Sequence, residues 1–276
     1  MPTHQSNDTV FGGFNVFLQS KDATTKSDGN SKCSFFLDSI IQPSRNDLGM
    51  LVSCLDAEIP YSWYNISAAL GNNSITINGL EPFVLPDRNY SAFNIADAFT
   101  SLLIGLGITM TFNDDTNKFT LQAAHPFTFN SSTMAKELGF GNLPAENVTL
   151  HESNNACNLA GTSSVYIRCP TMGLNNLNSL GKNDGILSKV LVNTSPSSYI
   201  FFQPSSPQYF VLNNAIQFIS VELINDDGNY IAFNNLDWSL TLSIELYRKR
   251  DDYVNTKYLM DYTRSINQRK DDEPPK

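Results

Sequence analysis

Apolar and polar residues alternate most regularly near the end of the chain, over residues 238–247. One side of an extended strand there is apolar, with Trp238, Leu240, Leu242, Ile244 and Leu246. The other side is polar, with Ser239, Thr241, Ser243 and Glu245. A strand that covers a hydrophobic core with one face has this period of two.

Shorter β-prone runs precede this strand and are separated by residues that favour turns. They are residues 33–41, 49–55, 74–77, 147–150, 164–169, 186–192, 198–203, 208–212, 216–224 and 229–233. Gly228 is available for a positive φ in the turn before the last strand. Many short strands joined by turns predict a mainly β fold, an antiparallel β-sandwich of the jelly-roll type.

Residues 70–145 have a different character. Asn94 can cap a helix, and apolar residues recur after it at helical spacing. These are Ile95, Ala98, Phe99, Leu102, Leu103 and Leu106. A hairpin over 108–122 and a short helix over 133–138, which ends at Gly139, follow. We therefore predict a small inserted α+β subdomain at 70–145, within a sandwich made of 32–69 and 146–248.

The two ends of the chain are predicted to be extended. Residues 1–31 are polar except for an apolar island, and we interpret them as an arm whose Phe11, Phe14 and Phe17 contact a neighbouring subunit. An N-terminal strand of the chain's own sheet explains the island equally well. Residues 249–276 combine charges with apolar positions and predict a charged arm, with Tyr258 and Tyr262 as candidate contacts.

Composition and charge limit the classes of function. With 41% hydrophobic residues in 276, the core suffices without a metal or cofactor. The net charge of −9 repels phosphates, so we expect no direct contact with nucleic acid. No apolar run approaches the roughly 18 residues of a membrane span, and the start lacks the pattern of a secretory signal.

The sequence contains no recognisable site for catalysis or metal binding. The cysteines are Cys33, Cys54, Cys157 and Cys169, and the histidines are His4, His125 and His151. Because their spacing forms no metal motif, we interpret the cysteines as small buried hydrophobes in a reducing compartment. No nucleophile elbow or phosphate loop occurs, and the acidic pairs at 114–115 and 226–227 suit turns. We predict a structural protein that is not an enzyme.

Several segments, in their order along the chain, resemble a known family. They are IPYSWYNI at 59–66, NYS at 89–91, ELGF at 137–140, ISVELINDDGNYI at 219–231 and DWSLTLSI at 237–244. The order resembles that of the penton or minor capsid proteins of polinton-like viruses, virophages and related large DNA viruses. The resemblance implies a jelly roll with a small insertion, assembled as a pentamer at the icosahedral vertices of a virion. It also implies contacts with the major capsid protein and with other minor capsid proteins.

Two alternatives stay open from the sequence. A carbohydrate- or receptor-binding jelly roll would use Tyr61, Trp63 and Tyr64 as stacking platforms. A minor capsid protein away from the vertex would differ from a penton only in copy number and geometry.

Overall fold

The structure is a computed structural model that describes residues 9–42, 48–141, 146–172, 185–212 and 215–248. Its strands are β1 (Thr9–Gln19), β2 (Thr25–Ser27), β3 (Lys32–Ile41), β4 (Leu48–Pro60), β5 (Ser74–Ile77), β6 (Phe83–Val84), β7 (Ile108–Asn113), β8 (Lys118–Ser132), β9 (Asn147–Glu152), β10 (Ser164–Arg168), β11 (Ile186–Leu191), β12 (Tyr199–Phe202), β13 (Phe210–Leu212), β14 (Ile216–Ile224) and β15 (Ser239–Arg248). The α-helices are α1 (Ala92–Leu103) and α2 (Ala135–Leu138), and short 3-10 turns lie at Ser20–Asp22, Asp28–Asn30, Ile104–Leu106 and Pro170–Met172.

Three antiparallel sheets organise these strands. Sheet 1 has the order β1-β15-β4-β12, with β13 also paired to β4. Sheet 2 has the order β11-β10-β14-β3-β2, and sheet 3 has the order β6-β5-β8-β7 with β9 paired to β8. The chain passes between sheets 1 and 2 from β1 to β3, β4, β10, β11, β12, β14 and β15. This connectivity is that of a jelly roll, so the predicted mainly β antiparallel sandwich is confirmed.

The core of the sandwich forms where sheets 1 and 2 face each other. Val52 and Ile244 contribute from sheet 1, and Ile167 and Val221 from sheet 2, each fully or almost fully buried. The predicted apolar side of the last strand lies in this core, with Leu240, Leu242 and Ile244 buried together with Trp238. Their burial supplies the main stabilisation of the sandwich.

A second hydrophobic cluster lies under sheet 3 and includes α1 and α2. The helix α1 begins one turn earlier than predicted, because the Ser91 hydroxyl, and not Asn94, caps it by accepting the Asn94 N–H at 3.2 Å. Of the apolar residues at helical spacing, Ile95, Phe99 and Leu103 are buried, whereas Leu102 and Leu106 are 41% and 37% exposed. None of the described helices is long and apolar enough to cross a membrane.

The N-terminal segment is part of the sandwich, so its description as an arm is wrong for the described residues 9–31. Strand β1 pairs antiparallel with β15 along its length, for example Phe17 with Thr241. The alternative interpretation, a strand of the chain's own sheet, is therefore the one observed. The predicted arm at 249–276, including Tyr258 and Tyr262, lies outside the described residues.

Candidate functional site

The outer face of sheet 1 carries large exposed aromatic side chains at both of its edges. Phe17 on β1 and Phe201 on β12 are each 72% exposed. Phe17 pairs with Thr241, and Phe201 pairs with Glu58, which pairs with Ser239. Since paired residues, and residues two apart on a strand, point to the same side of a sheet, both aromatics lie on the outer face. We call this pair the edge aromatics.

Neighbouring residues extend each of these edges. Tyr199 is two residues before Phe201 and packs near it, with ring centroids 6.4 Å apart. On β1, Phe14 points to the opposite face of sheet 1, because it pairs with the core residue Ile244. Phe14 is 40% exposed at the rim of the sandwich. Phe11 belongs to the same strand.

The predicted stacking platform at residues 61–64 is wrong for two of its three aromatics. Tyr61 and Trp63 are only 7% and 5% exposed. Their ring centroids lie 4.4 Å apart. Trp63 also packs edge-to-face against Phe233, with ring centroids 5.9 Å apart. Their faces are therefore covered by the core and cannot receive a sugar ring. Tyr64 is 37% exposed and stays available.

A polar cleft lies where the sandwich meets sheet 3, and it was not predicted from the sequence. Its larger cavity has a volume of about 360 Å³ and is lined by Glu137 of α2 and by the turn after β14, including Asp226. A smaller cavity of about 80 Å³ adjoins it and is lined by Trp63, Tyr64 and Tyr230. Both cavities share lining residues, among them Asn225 and Asn229. We call the two cavities together the junction cleft.

Hydrogen bonds fix the walls of the junction cleft. The Asn65 side-chain amide donates to the carbonyls of Tyr90 and Leu159 at 2.9 and 3.0 Å, and its oxygen accepts the Tyr90 N–H at 2.9 Å. The Asn225 side-chain oxygen accepts from the backbone N–H groups of Asp227 and Asn229. Both asparagines are buried, so they hold the two sides of the cleft in place.

Asp226 is held by donors from the facing loop. One carboxylate oxygen accepts from the Ser163 N–H and hydroxyl at 2.9 Å each, and from the Ser164 N–H at 3.0 Å. Burial raises the pKa of the Asp226 carboxyl, but these hydrogen bonds outweigh it and keep the pKa below its ordinary value of 3.8. The turn closes with Gly228 at a φ of +82°, as predicted.

Three of the four thiols are buried, as the sequence predicted for small hydrophobes, and Cys157 is not. Cys33, Cys54 and Cys169 are buried and Cys157 is half-buried, and all are free. Burial raises the pKa of Cys33 to about 11 and that of Cys54 to about 12. Within the described ranges, no group of three or more His, Cys, Asp or Glu side chains is arranged to hold a metal ion.

Among the comparisons with known proteins, only the one with solved structures finds similar chains. No protein-family model matches the chain, and no curated protein matches it. Among solved structures, the crystal structure of the mavirus penton protein is similar, with a TM-score of 0.46 and 13% sequence identity. The match covers 86% of this chain and 100% of that one. At this TM-score and identity the likeness assigns neither a family nor a function, and the fold class rests on the strand pairing of the chain itself.

Proposed function

We propose that this chain is a structural protein of a DNA-virus capsid. More specifically, it is a penton protein that forms a pentamer at the vertices of the virion and contacts the major and other minor capsid proteins. It acts without catalysis and without direct contact with nucleic acid, for which its net charge of −9 is unsuited. The resemblance of its ordered sequence segments to penton proteins and its jelly-roll connectivity support this proposal.

The edge aromatics are the observation that carries the proposal. A closed ring of identical subunits needs two different surfaces on each copy, one on each side, because its contacts are head-to-tail. Phe17 lies on one edge strand of sheet 1 and Phe201 on the strand at the opposite edge. Aromatic residues are enriched in the cores of protein interfaces, and these two are each 72% exposed on the single chain.

We also propose the division into two units that the sequence predicts. The two separate hydrophobic clusters support a sandwich of 32–69 and 146–248 with an inserted subdomain at 70–145. Strands β1 and β2 add to the sandwich, and β9 adds to the inserted unit because it pairs with β8. In an assembled ring the inserted subdomain is free to face other capsid proteins, because the edge aromatics belong to the sandwich.

Native mass spectrometry of the full chain tests the proposal. We expect a closed ring of five copies, which Phe17→Ser and Phe201→Ser each convert to monomers at micromolar concentration. Loss of one buried Phe removes about 1.5–3 kcal/mol per interface, or roughly a ten- to hundredfold loss of affinity. Ile104→Ser is the matched control, since Ile104 is 76% exposed but lies next to α1 in the inserted unit.

Two outcomes would count against the proposal. A monomer at every concentration would contradict it, as would a ring that Ile104→Ser dissociates as readily as the two phenylalanine variants. A closed ring with another copy number would instead favour a minor capsid protein away from the vertex.

A further inference from the structure

We propose that the junction cleft binds a neutral polyhydroxylated ligand, with the chemistry of an oligosaccharide. The size of the cleft fits such a ligand. Its larger cavity of about 360 Å³ falls within the range of small-molecule sites, and the adjoining cavity of about 80 Å³ extends it toward Tyr64. The cleft shares no residue with the edge aromatics, so substitutions in the cleft leave both of those aromatics in place.

Two buried polar atoms on the walls of the cleft have no hydrogen-bond partner among the described residues. They are the indole N–H of Trp63 and one carboxylate oxygen, Oε2, of Glu137. Buried polar groups are almost always paired, so each of these calls for a partner beyond the described residues, and a ligand in the cleft can supply it. One is a donor and the other an acceptor. A hydroxyl group can accept from the Trp63 N–H or donate to the Glu137 oxygen. A polyol carries many such groups, and a water molecule that it holds in the cleft can act in the same way.

The smaller cavity also offers aromatic faces. Tyr64 and Tyr230 line it and are 37% and 40% exposed. The ammonium of Lys32 lies 5.8 Å from the centre of the Tyr230 ring, which restrains that ring. Half-exposed tyrosines beside amide and hydroxyl groups are suited to a ligand with one apolar face and many hydroxyls. The buried Trp63 contributes its N–H and not its face.

Charge narrows the class of ligand. The larger cavity is lined by Glu137, Asp226 and Asp227, and by a single cation among its described residues, Lys136. A negative excess disfavours sialylated, sulfated or phosphorylated ligands, because like charges raise the cost of binding. Neutral sugars avoid this cost.

Hydrogen bonds within the chain hold the polar side chains of the cleft in place without a ligand. Asn72 donates to the second carboxylate oxygen of Glu137 at 3.3 Å and to the Asn65 carbonyl at 2.9 Å. The bonds from Ser163 and Ser164 hold Asp226 in the same way. Preorganised polar groups lower the entropy lost on binding, and they make selective recognition of hydroxyls possible.

An array of neutral and acidic oligosaccharides, followed by calorimetry with the best neutral glycan, tests the site on the full chain. We expect binding to neutral glycans and weaker binding to their sialylated or sulfated forms. Tyr64→Ala and Tyr230→Ala each should weaken the binding about two- to tenfold, since an aromatic contact is worth about 0.5–1.5 kcal/mol. Glu137→Gln should weaken it by a similar factor, because it replaces the unpaired acceptor.

Tyr199→Ala is the matched control, because Tyr199 is 47% exposed but lies outside the cleft, and it should leave the affinity unchanged. Phe17→Ser should also bind the glycan normally, so failure of the assembly proposal and failure of this one are distinguishable. Absence of binding to every glycan at millimolar concentration would overturn the proposal. A preference for acidic glycans, or binding that the three cleft variants leave unchanged, would overturn it as well.

Discussion

The Glu222 carboxylate lies 3.3 Å from the guanidinium of Arg168 on the neighbouring strand of sheet 2. On the other side it lies 3.2 Å from the ammonium of Lys32 on β3. The Glu222 side chain is only 8% exposed, so both ion pairs meet at a nearly buried acid. The hydrogen bond and the charge of Glu222 raise the pKa of the Lys32 ammonium above its ordinary value. This row of three charges links β3, β14 and β10 across the outer face of sheet 2.

We expect Glu222→Ala to lower the free energy of unfolding by about 2 kcal/mol, because it removes the shared partner of two cations from a nearly buried position. Urea denaturation measures this change. The control is Glu152→Ala, which removes the exposed ion pair between Glu152 and Lys118 and should cost under about 1 kcal/mol. If both variants lose the same free energy of unfolding, the buried position of Glu222 does not make its ion pairs stronger than an exposed one.

Gly139, directly after α2, requires the absence of a side chain. Its φ is +81°, and an added Cβ would lie 2.2 Å from the backbone oxygen of Asn155. The Asn155 N–H also donates to the Gly139 carbonyl at 2.9 Å, which holds the two backbones together. We expect Gly139→Ala to destabilise the inserted unit by more than about 2 kcal/mol, since both the conformation and the contact forbid a methyl group.

Thermal unfolding of Gly139→Ala and Gly105→Ala compares this position with a permissive one. Gly105 has open space around its added Cβ. Its substitution should change the midpoint little or stabilise slightly, because alanine restricts the unfolded chain. A Gly139→Ala protein with an unchanged midpoint would contradict the close approach of Asn155.

The sequence predicted features that depend on local periodicity and missed those that depend on distant partners. The alternation over 238–247 located β15 because its period is a property of one segment. Strand β1 was ambiguous, since Gly12 and Gly13 weaken its β pattern and its partner β15 is far away in sequence. The Ser20 hydroxyl, for example, donates to Asp237, 217 residues later.

Trp63 and the junction cleft show the same limit. Trp63 follows Pro60 among other aromatics and suits an exposed loop, but it is covered by Phe233. The adjacent Ser62 hydroxyl reaches the Phe233 carbonyl, 171 residues away. The cleft combines Glu137, Asp226 and Trp63 from three separate segments, so no local sequence motif predicts it. Pairs of residues that contact across such separations are the signal that a single sequence lacks.

The thiols should differ in reactivity in the native protein. At pH 8 a thiol whose pKa is about 11, such as Cys33, is a thiolate in only about one molecule in a thousand, and Cys54 is less ionised still. Cys157 is half-buried, so a disulfide reagent such as DTNB reaches it first. We expect one thiol to react quickly and the other three to react only on unfolding, with peptide mass spectrometry locating the first. Labelling of Cys33 or Cys54 as fast as Cys157 would contradict the burial of these thiols.

The Asp226 carboxylate should make the stability of the turn depend on pH in a defined direction. Its folded pKa lies below the ordinary 3.8, so its contribution is fully present above that pH and is lost as the pH falls toward the folded pKa. We expect Asp226→Asn to be less stable than the parent by about 1 kcal/mol or less at pH 7, since hydrogen bonds at an exposed turn contribute modestly.

This difference should shrink as the pH falls below 3.8, because the parent then protonates Asp226 and weakens the bonds donated by Ser163 and Ser164. Chemical denaturation of both proteins at a series of pH values measures it. Asp227→Asn removes a charge from the same turn but leaves those hydrogen bonds in place. It therefore distinguishes the effect of the hydrogen bonds from the effect of the lost charge. If the stability difference between the parent and Asp226→Asn instead grows on acidification, the prediction is wrong. The cost of burying the carboxylate would then exceed the stabilisation from its three hydrogen-bond donors.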